Sequence, residues 1–278
     1  MTEPDYRPAP HYDRVTDGWR NLLGEDLHYG LFSAGTGSLP EATAALTARM
    51  ARAARFEPGT VVFDVGCGTG APACAIVADY DVRVVGISTS LVGVAAASER
   101  AAAAGLAHSA EFTLADGMNN HLPDASFDRV WALESSHLML DRDHFVTECA
   151  RVLRPGGRFV LCDIVRRRDI PFPEVRARLA DFQVLRQVFG EARTESLAVY
   201  RELMTAAGLV VDEEEDLTAA TGSTFGWWRK NAEANRDAVQ HLLGSEDYTA
   251  FVRSTHVLES LWADGTLGYG LIAATKPA

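Results

Sequence analysis

No window of this 278-residue chain approaches the ~18 consecutive apolar residues that a membrane-spanning helix requires. The first residues, Met1 to Tyr6, are acidic with no apolar stretch behind them, so no secretory signal peptide is expected. Basic residues are scarce. Lys plus Arg number 26 against 38 Asp plus Glu, a net charge of −12. That balance excludes sequence-independent nucleic-acid binding, which needs a basic surface. It equally disfavours an anionic membrane leaflet. The four cysteines, Cys67, Cys74, Cys149 and Cys162, form no C-x-x-C pair and have no His pair nearby. They imply neither a disulfide framework nor zinc, but reduced, mostly buried thiols in a cytoplasmic protein. No histidines are spaced as metal ligands. Internal repeats and low-complexity linkers are also absent.

What is present suits a globular protein. Apolar residues make up 47% and charged residues 23%, enough to bury a large core. Residues 1–40 are polar, aromatic-rich and punctuated by Gly and Pro. Glu41 to Arg55 reads as a helix, with Leu46, Met50 and Ala54 on one face. The period then changes. Short apolar strands are expected at Val61–Val65, Val82–Ile87, Glu111–Asp116, Phe127–Ala132 and Gly157–Asp163. Helices are expected at Ala71–Ala78, Leu91–Ala104 and Asp143–Leu153, the last stopped by Arg154-Pro155-Gly156-Gly157. This alternation implies a parallel sheet covered by helices on both faces. Residues 171–206 and 226–262 read as mainly helical, separated by a strand at Leu209–Val211. A last strand runs from Leu267 to Thr275. The acidic run Asp212 to Asp216 reads as a solvated face.

The strongest chemical signal is Asp64-Val65-Gly66-Cys67-Gly68-Thr69-Gly70, set between a strand and a helix. Glycines there permit positive φ and let a ligand approach the backbone. The helix that follows offers unpaired N–H groups. The G-x-G-x-G spacing is tighter than a pyrophosphate turn and suits a nucleoside with an amino-acid tail. Open α/β sheets bind ligands at the carboxyl ends of their strands. Asp64 and Gly66, Ser88, Asp116, Glu134 to His137, and Asp163 all fall at such ends. They are therefore expected to form one site.

Val62 to Gly70 resembles motif I of the class I S-adenosylmethionine (SAM)-dependent methyltransferases. Asp116-Gly117-Met118 is similar to their adenine-contacting segment, and Leu153 to Gly157 to the turn before their fifth strand. The resemblance spans roughly residues 10–165, more loosely the remainder. Leu27-His28-Tyr29-Gly30, Val85 to Ser90, Trp131 to His137 and Gly268 to Ala274 resemble a small-molecule, natural-product subgroup. That subgroup includes the rebeccamycin sugar O-methyltransferase and, more distantly, tocopherol methyltransferases and cyclopropane fatty acid synthases. The resemblance implies a Rossmann-like α/β fold with a mostly parallel seven-stranded sheet. It implies one domain over 1–278, with an N-terminal helical lid region (1–55), a SAM-binding core (56–165) and a helical substrate cap (166–206 and 222–262), part of it inserted after the fifth strand.

By the same resemblance, Asp64, Gly66 and Gly68 hold the methionine part of SAM, and Asp116, Gly117 and Met118 the adenine. Leu133 and Glu134 form the pocket floor, and Tyr29 covers the sulfonium with its ring face. Ser88 stands where most members carry an acid for the ribose hydroxyls. His137 is the expected base for a hydroxyl acceptor, with Asp163 to orient it or act as a second base. Where the rebeccamycin enzyme has a second His, this chain has Leu138. His28 belongs to the lid. His11, His108, His121, His144, His241 and His256 are assigned no role. Aromatics such as Phe182, Phe189, Phe225, Trp227, Trp228 and Trp262 are expected mainly in the core, roofing an apolar substrate pocket.

The activity expected is methyl transfer from SAM to a hydroxyl of a hydrophobic or glycosylated small molecule in secondary metabolism. No metal, nucleic-acid or membrane partner is expected. The alternatives are carbon methylation, or a pericyclic cyclase on the same frame with SAM as a structural cofactor. A non-catalytic SAM sensor is disfavoured by a roofed pocket.

Overall fold

Seven strands build one sheet in the order β3-β2-β1-β4-β5-β7-β6. They are β1 (Val61–Val65), β2 (Arg83–Ser88), β3 (Ala110–Leu114), β4 (Phe127–Leu133), β5 (Leu153–Arg166), β6 (Val210–Asp216) and β7 (Leu267–Thr275). The computed structural model describes residues 8–278; the acidic start at Met1–Tyr6 lies outside them. Strands β1 to β5 pair in parallel, and only β7 runs antiparallel to its neighbours β5 and β6. The expected mostly parallel seven-stranded sheet is thus found.

Central strands β1 and β4 are mostly buried and mostly apolar, apart from Asp64 and the half-exposed Asp128 and Arg129, as strands covered on both faces tend to be. The covering helices are α2 (Leu39–Ala54), α3 (Ala71–Tyr80), α4 (Leu91–Ala103) and α5 (Arg142–Val152), with α8 (Leu197–Ala206) beside β6. Helix α2 is opened by Ser38, whose hydroxyl accepts the Glu41 amide. Asp141 does the same for α5 through His144.

A second helical layer stands over the carboxyl edge. It comprises α1 (Ala9–Leu23), α6 (Phe172–Ala177), α7 (Leu179–Phe189), the short α9 (Thr218–Thr221), α10 (Thr224–Ala234), α11 (Arg236–Leu243) and α12 (Ser245–Ala263). Helices α6 and α7 follow β5. Helices α9 to α12 fill the connection between β6 and β7. Helix α1 packs on α10 and α11 and also on α4. Asn231 and Asn235 of α10's end donate to the carbonyls of Leu22 and Asn21 at α1's end.

The expected solvated acidic face is found, on edge strand β6: Asp212, Glu214 and Asp216 are exposed, Glu213 and Glu215 half-buried. Arg158, only 3% exposed, bonds Asp212 and Glu213, and Arg49 pairs with Glu213 and Glu215. An edge strand of carboxylates is tolerated because guanidinium groups from α2 and β5 neutralise it. One expectation is corrected: strand β5 begins at Leu153, before the Gly-Pro turn, since Leu153 already pairs with Phe127.

Candidate active site

A cavity of about 700 Å³ opens at the carboxyl ends of β1, β2, β3 and β4. Its wall includes Asp64, Gly66, Gly68, Ser88, Asp116, Gly117, Met118, Leu133 and Glu134. Nine of the ten positions proposed for the cofactor therefore share one cavity.

The glycine turn folds over the end of β2: the amides of Gly66 and Cys67 both donate to the Ile87 carbonyl, each at 2.9 Å. Gly66 has φ +88, and a Cβ there would lie 2.3 Å from the Ser135 Cβ. Gly68, φ +53, faces open space with nothing within 4 Å of a Cβ. Here the sequence needs glycine both for the backbone and for a ligand's approach. Beyond β3, Asp116 holds its own turn by accepting the Met118 amide at 2.9 Å.

Glu134 ends β4 in the left-handed region, φ +49, a conformation that costs a non-glycine residue of order 1–3 kcal/mol. The Glu134 amide donates to the Cys162 carbonyl on β5 at 2.9 Å, and the Ser135 hydroxyl to the Val65 carbonyl at 2.5 Å. These bonds turn the chain into the cavity. The Glu134 carboxylate accepts the Tyr269 hydroxyl at 2.5 Å and the Tyr29 amide at 2.8 Å. Burial pushes its pKa up to about 8, against the pull of those two donors. Burial alone pushes Asp64 up to about 7.

Four carboxyl side chains, of Asp26, Asp64, Asp116 and Glu134, lie on the cavity wall, and no Lys or Arg is among the described lining residues. A bound cation would be favoured here, its charge drawing Asp64 and Glu134 back toward their ionised forms. A ligand carrying a sulfonium and an ammonium fits this wall, and the open face of Gly68 admits one. The residues that would hold the methionine part are Asp64, Gly66 and Gly68. Ser88, Asp116 and Met118 line the same cavity, where they would face the ribose and the adenine.

Under β4 and β5 lies a buried polar cluster. Asp163, wholly inaccessible, accepts His137 Nδ1–H at 2.7 Å, the Ser136 hydroxyl at 2.5 Å, the His137 amide at 3.1 Å and the Ile164 amide at 2.7 Å. Ser136 also bonds the Tyr200 hydroxyl at 2.7 Å. Burial works to lower the His137 pKa, but the charge and hydrogen bond of Asp163, then the charge of Glu134, outweigh it and raise it above the ordinary value. Burial works to raise Asp163, and the same His137 contact and its other donors hold it below the usual carboxylate range. Asp163 thus accepts four hydrogen bonds, two of them from His137.

His137 sits on a 3-10 turn, Ser136–Leu138, between wall residues Ser135 and Leu138. It is 7% exposed and is not itself in the wall. Nδ1 is taken by Asp163, and Nε2 makes no hydrogen bond among the described residues.

Tyr29 is the exception among the proposed cofactor residues. Its ring stacks on Trp262 at 5.5 Å and meets Phe225, Trp228 and Tyr269 edge-on or tilted. It is a core residue of the helical layer, off the cavity wall, because the surrounding aromatics bury it more fully than a cavity face would. The adjoining Leu27 and His28 line the cavity instead. His28 is buried, donating Nδ1–H to the Tyr29 carbonyl at 2.7 Å.

Several wall residues carry no sequence signal. Ala9, Tyr12, Thr16 and Trp19 recur at helical spacing on α1 and all face the cavity. Tyr269, in β7, reaches Glu134 from a strand outside the nucleotide half. Its only hint was its place in the Gly268 to Ala274 tail. His11, assigned no role from the sequence, packs edge-on to Trp19 and bonds the Val188 carbonyl of α7 at 2.9 Å. Among the described residues no cluster of His, Cys, Asp or Glu could hold a metal ion, and no helix is long and apolar enough to cross a membrane.

This strand order, glycine turn and acidic cavity define a class I SAM-dependent methyltransferase. Residues 4–265 match the family described as mycolic acid cyclopropane synthetase, and the chain belongs to it. It is 37% identical to a 27-O-demethylrifamycin SV methyltransferase of Amycolatopsis mediterranei (strain S699), over 98% of this chain and 99% of that protein. It is 32% identical to methyltransferase GfsG of Streptomyces halstedii, over 96% and 93%. Among solved structures, the [4+2]-cyclase SpnF superposes with TM-score 0.83 at 27% identity, covering 97% of this chain and 96% of that one. The mycolic acid cyclopropane synthase CmaA1, complexed with SAH and CTAB, shares the fold with TM-score 0.86 at 22% identity, covering 96% of each. The chain is thus a SAM-dependent methyltransferase of small molecules.

Proposed function

We propose that this enzyme methylates a hydroxyl oxygen of an uncharged, largely apolar or glycosylated small molecule of secondary metabolism. The observation that carries the reading is the His137–Asp163 pair, 2.7 Å apart and buried beside the cavity. Bound SAM supplies a methyl group already activated by its sulfonium, so the protein's task is alignment and proton removal. Asp163 fixes the imidazole with Nδ1 protonated. Nε2 is then the basic nitrogen, the atom that would take the acceptor's proton. A hydroxyl is a weak nucleophile until its proton leaves, so it gains most from such a base; an amine attacks through its lone pair and can shed its proton afterwards.

The acceptor class follows from the wall. Tyr12, Trp19, Met118, Leu138, Met139 and Leu140 supply apolar surface, and the absence of a basic lining residue disfavours a carboxylate or phosphate ester. The relative named for 27-O-demethylrifamycin SV is named for an oxygen acceptor on a small molecule, which supports the same choice here. A glycosylated acceptor, as the rebeccamycin-type resemblance implies, stays within this class. The acidic helix-capped protein is proposed to have small-molecule partners only.

Mass spectrometry tests the proposal. The protein is incubated with methyl-labelled SAM and a panel of hydroxylated polyketides, glycosides and prenyl compounds. A labelled O-methyl product is expected. Labelled carbon would reassign the acceptor atom. The likeness to a [4+2]-cyclase favours one second reading, ring closure with SAM in a structural role. Isomerised, unlabelled substrate would establish it.

A further inference from the structure

Strand β2 ends without an acid: Ser88 stands there, and its hydroxyl accepts the Ser90 amide at 3.1 Å. A carboxylate nevertheless reaches this turn, from the other side of the cavity. Asp13 of α1 accepts the Ser90 hydroxyl at 2.6 Å and the Val92 amide, in the first turn of α4, at 3.2 Å. Ser90 in turn accepts the Gly93 amide at 2.9 Å. Asp13 lies on the edge of the same α1 face whose Tyr12, Thr16 and Trp19 line the cavity. At its far end α1 is tied to the same helix again: Glu25, just past α1, accepts Arg100 at 2.7 Å, and Arg100 also donates to the Thr69 carbonyl at 3.1 Å. Helix α1 therefore crosses the cavity as a cover, fastened to α4 at both ends. The fastening nearer the nucleoside position is a single carboxylate.

We propose that Asp13 is a cofactor-positioning residue: it latches the cavity-lining helix α1 onto the turn between β2 and α4, so that SAM enters and leaves only when the Asp13 contacts break. The proposal rests on the reading that the SAM ribose lies at Ser88 to Ser90. The carboxylate at this turn comes from α1, and it grips the turn itself. Hydrogen bonds to a charged group are the stronger kind, and losing two at once shifts a closing equilibrium by roughly 10-fold or more. An Asn at position 13 keeps an acceptor oxygen for both donors and loses only the charge.

Hydrogen exchange and SAM dissociation together test it. In the unaltered protein, SAM is expected to slow amide exchange both at 61–70 and at 9–23. In Asp13→Ala, protection at 61–70 persists, protection at 9–23 is lost, and labelled SAM dissociates about 10-fold faster. Asp13→Asn is expected to recover most of that loss. A wild-type dissociation rate in Asp13→Ala, with α1 exchanging faster, would reduce Asp13 to a helix cap and overturn the latch. SAM protection at 61–70 but none at 9–23 in the unaltered protein would overturn it without any variant. Absence of protection at both segments would overturn the cofactor placement and the latch with it.

Discussion

Asp163 holds His137 by both the ring and the backbone: one carboxylate oxygen takes Nδ1–H at 2.7 Å, the other takes the amide at 3.1 Å. The imidazole's tautomer and direction are set by a residue on a neighbouring strand.

Replacing His137 by Ala should therefore lower the methyl-transfer step by about 10²–10⁴-fold, the usual share of a general base. Affinity for SAM should change little, since His137 is not in the cavity wall. Single-turnover rates with a responsive hydroxyl acceptor, beside calorimetric SAM affinity, measure the two separately. A wild-type rate would remove His137 from the chemistry.

The pH profile carries a sign. A base must be neutral to act, and the Asp163 charge raises the His137 pKa above its ordinary value. The rate should rise with pH through a midpoint above ~6.5. Asp163→Asn removes the charge that favours the imidazolium, so the midpoint should move to lower pH while the maximal rate falls. An unmoved midpoint would mean that another group is titrating.

Stability without SAM should decline as pH rises. Glu134 and Asp64, pushed to about 8 and about 7, keep protons in the folded state that the unfolded chain releases near ~4. Folding then binds protons, and the stabilisation is full below pH ~4 and lost as pH climbs through the folded values. Glu134→Gln should flatten the upper part of this slope in thermal melts from pH 6 to 9. A slope identical to that of the unaltered protein would show that Glu134 is already ionised.

Gly66→Ala should abolish measurable SAM binding, because the new Cβ would collide with Ser135 in the cavity wall at 2.3 Å. Gly59→Ala imposes a similar backbone strain, φ +82, in open space. It should lose stability by about 1–3 kcal/mol but keep SAM affinity. Equal affinities for the two variants would dissociate the glycine turn from the cofactor.

Arg158→Ala should destabilise the protein by about 1–3 kcal/mol, since it strips the Ala53 carbonyl, Asp212 and Glu213 of a buried donor. The melting point should fall by roughly 2–4 °C per kcal/mol, most strongly at low salt, where the bared acids of β6 repel. An unchanged melting point would show the edge strand to be held without its guanidinium.

The sequence makes the nucleotide half legible because its determinants are local. The run Asp64 to Gly70 combines a strand, positive-φ glycines and a helix start, and all three are written into seven consecutive residues. What pairs with strand β6 is hidden for the opposite reason. Five acids in a row read as the solvated edge they are, but their partners Arg49 and Arg158 lie far away along the chain. Tyr29 shows the same limit. Its neighbours place it near the site, but the partners that turn its ring away, Phe225, Trp228, Trp262 and Tyr269, arrive some 200 residues later. The α1 wall was missed because Ala9, Tyr12, Thr16 and Trp19 are too mixed in polarity to mark a buried face.

The lid's attachment also dictates an order of assembly. Gly30 donates to Thr224, and Asn231 and Asn235 cap the end of α1, each across roughly 200 positions of chain. Contacts so far apart in sequence form late. During synthesis α1 can meet α4 early, but its contacts with α10 and α11 wait until those helices leave the ribosome. The strands and helices of residues 61–166 need no such wait, since their neighbours are nearby in the chain. A nascent chain therefore passes through a stage in which the cofactor end of the sheet has formed while its cover is unfinished. Tyr29, which packs on Trp228 and Trp262 in the folded chain, lacks those partners during that interval.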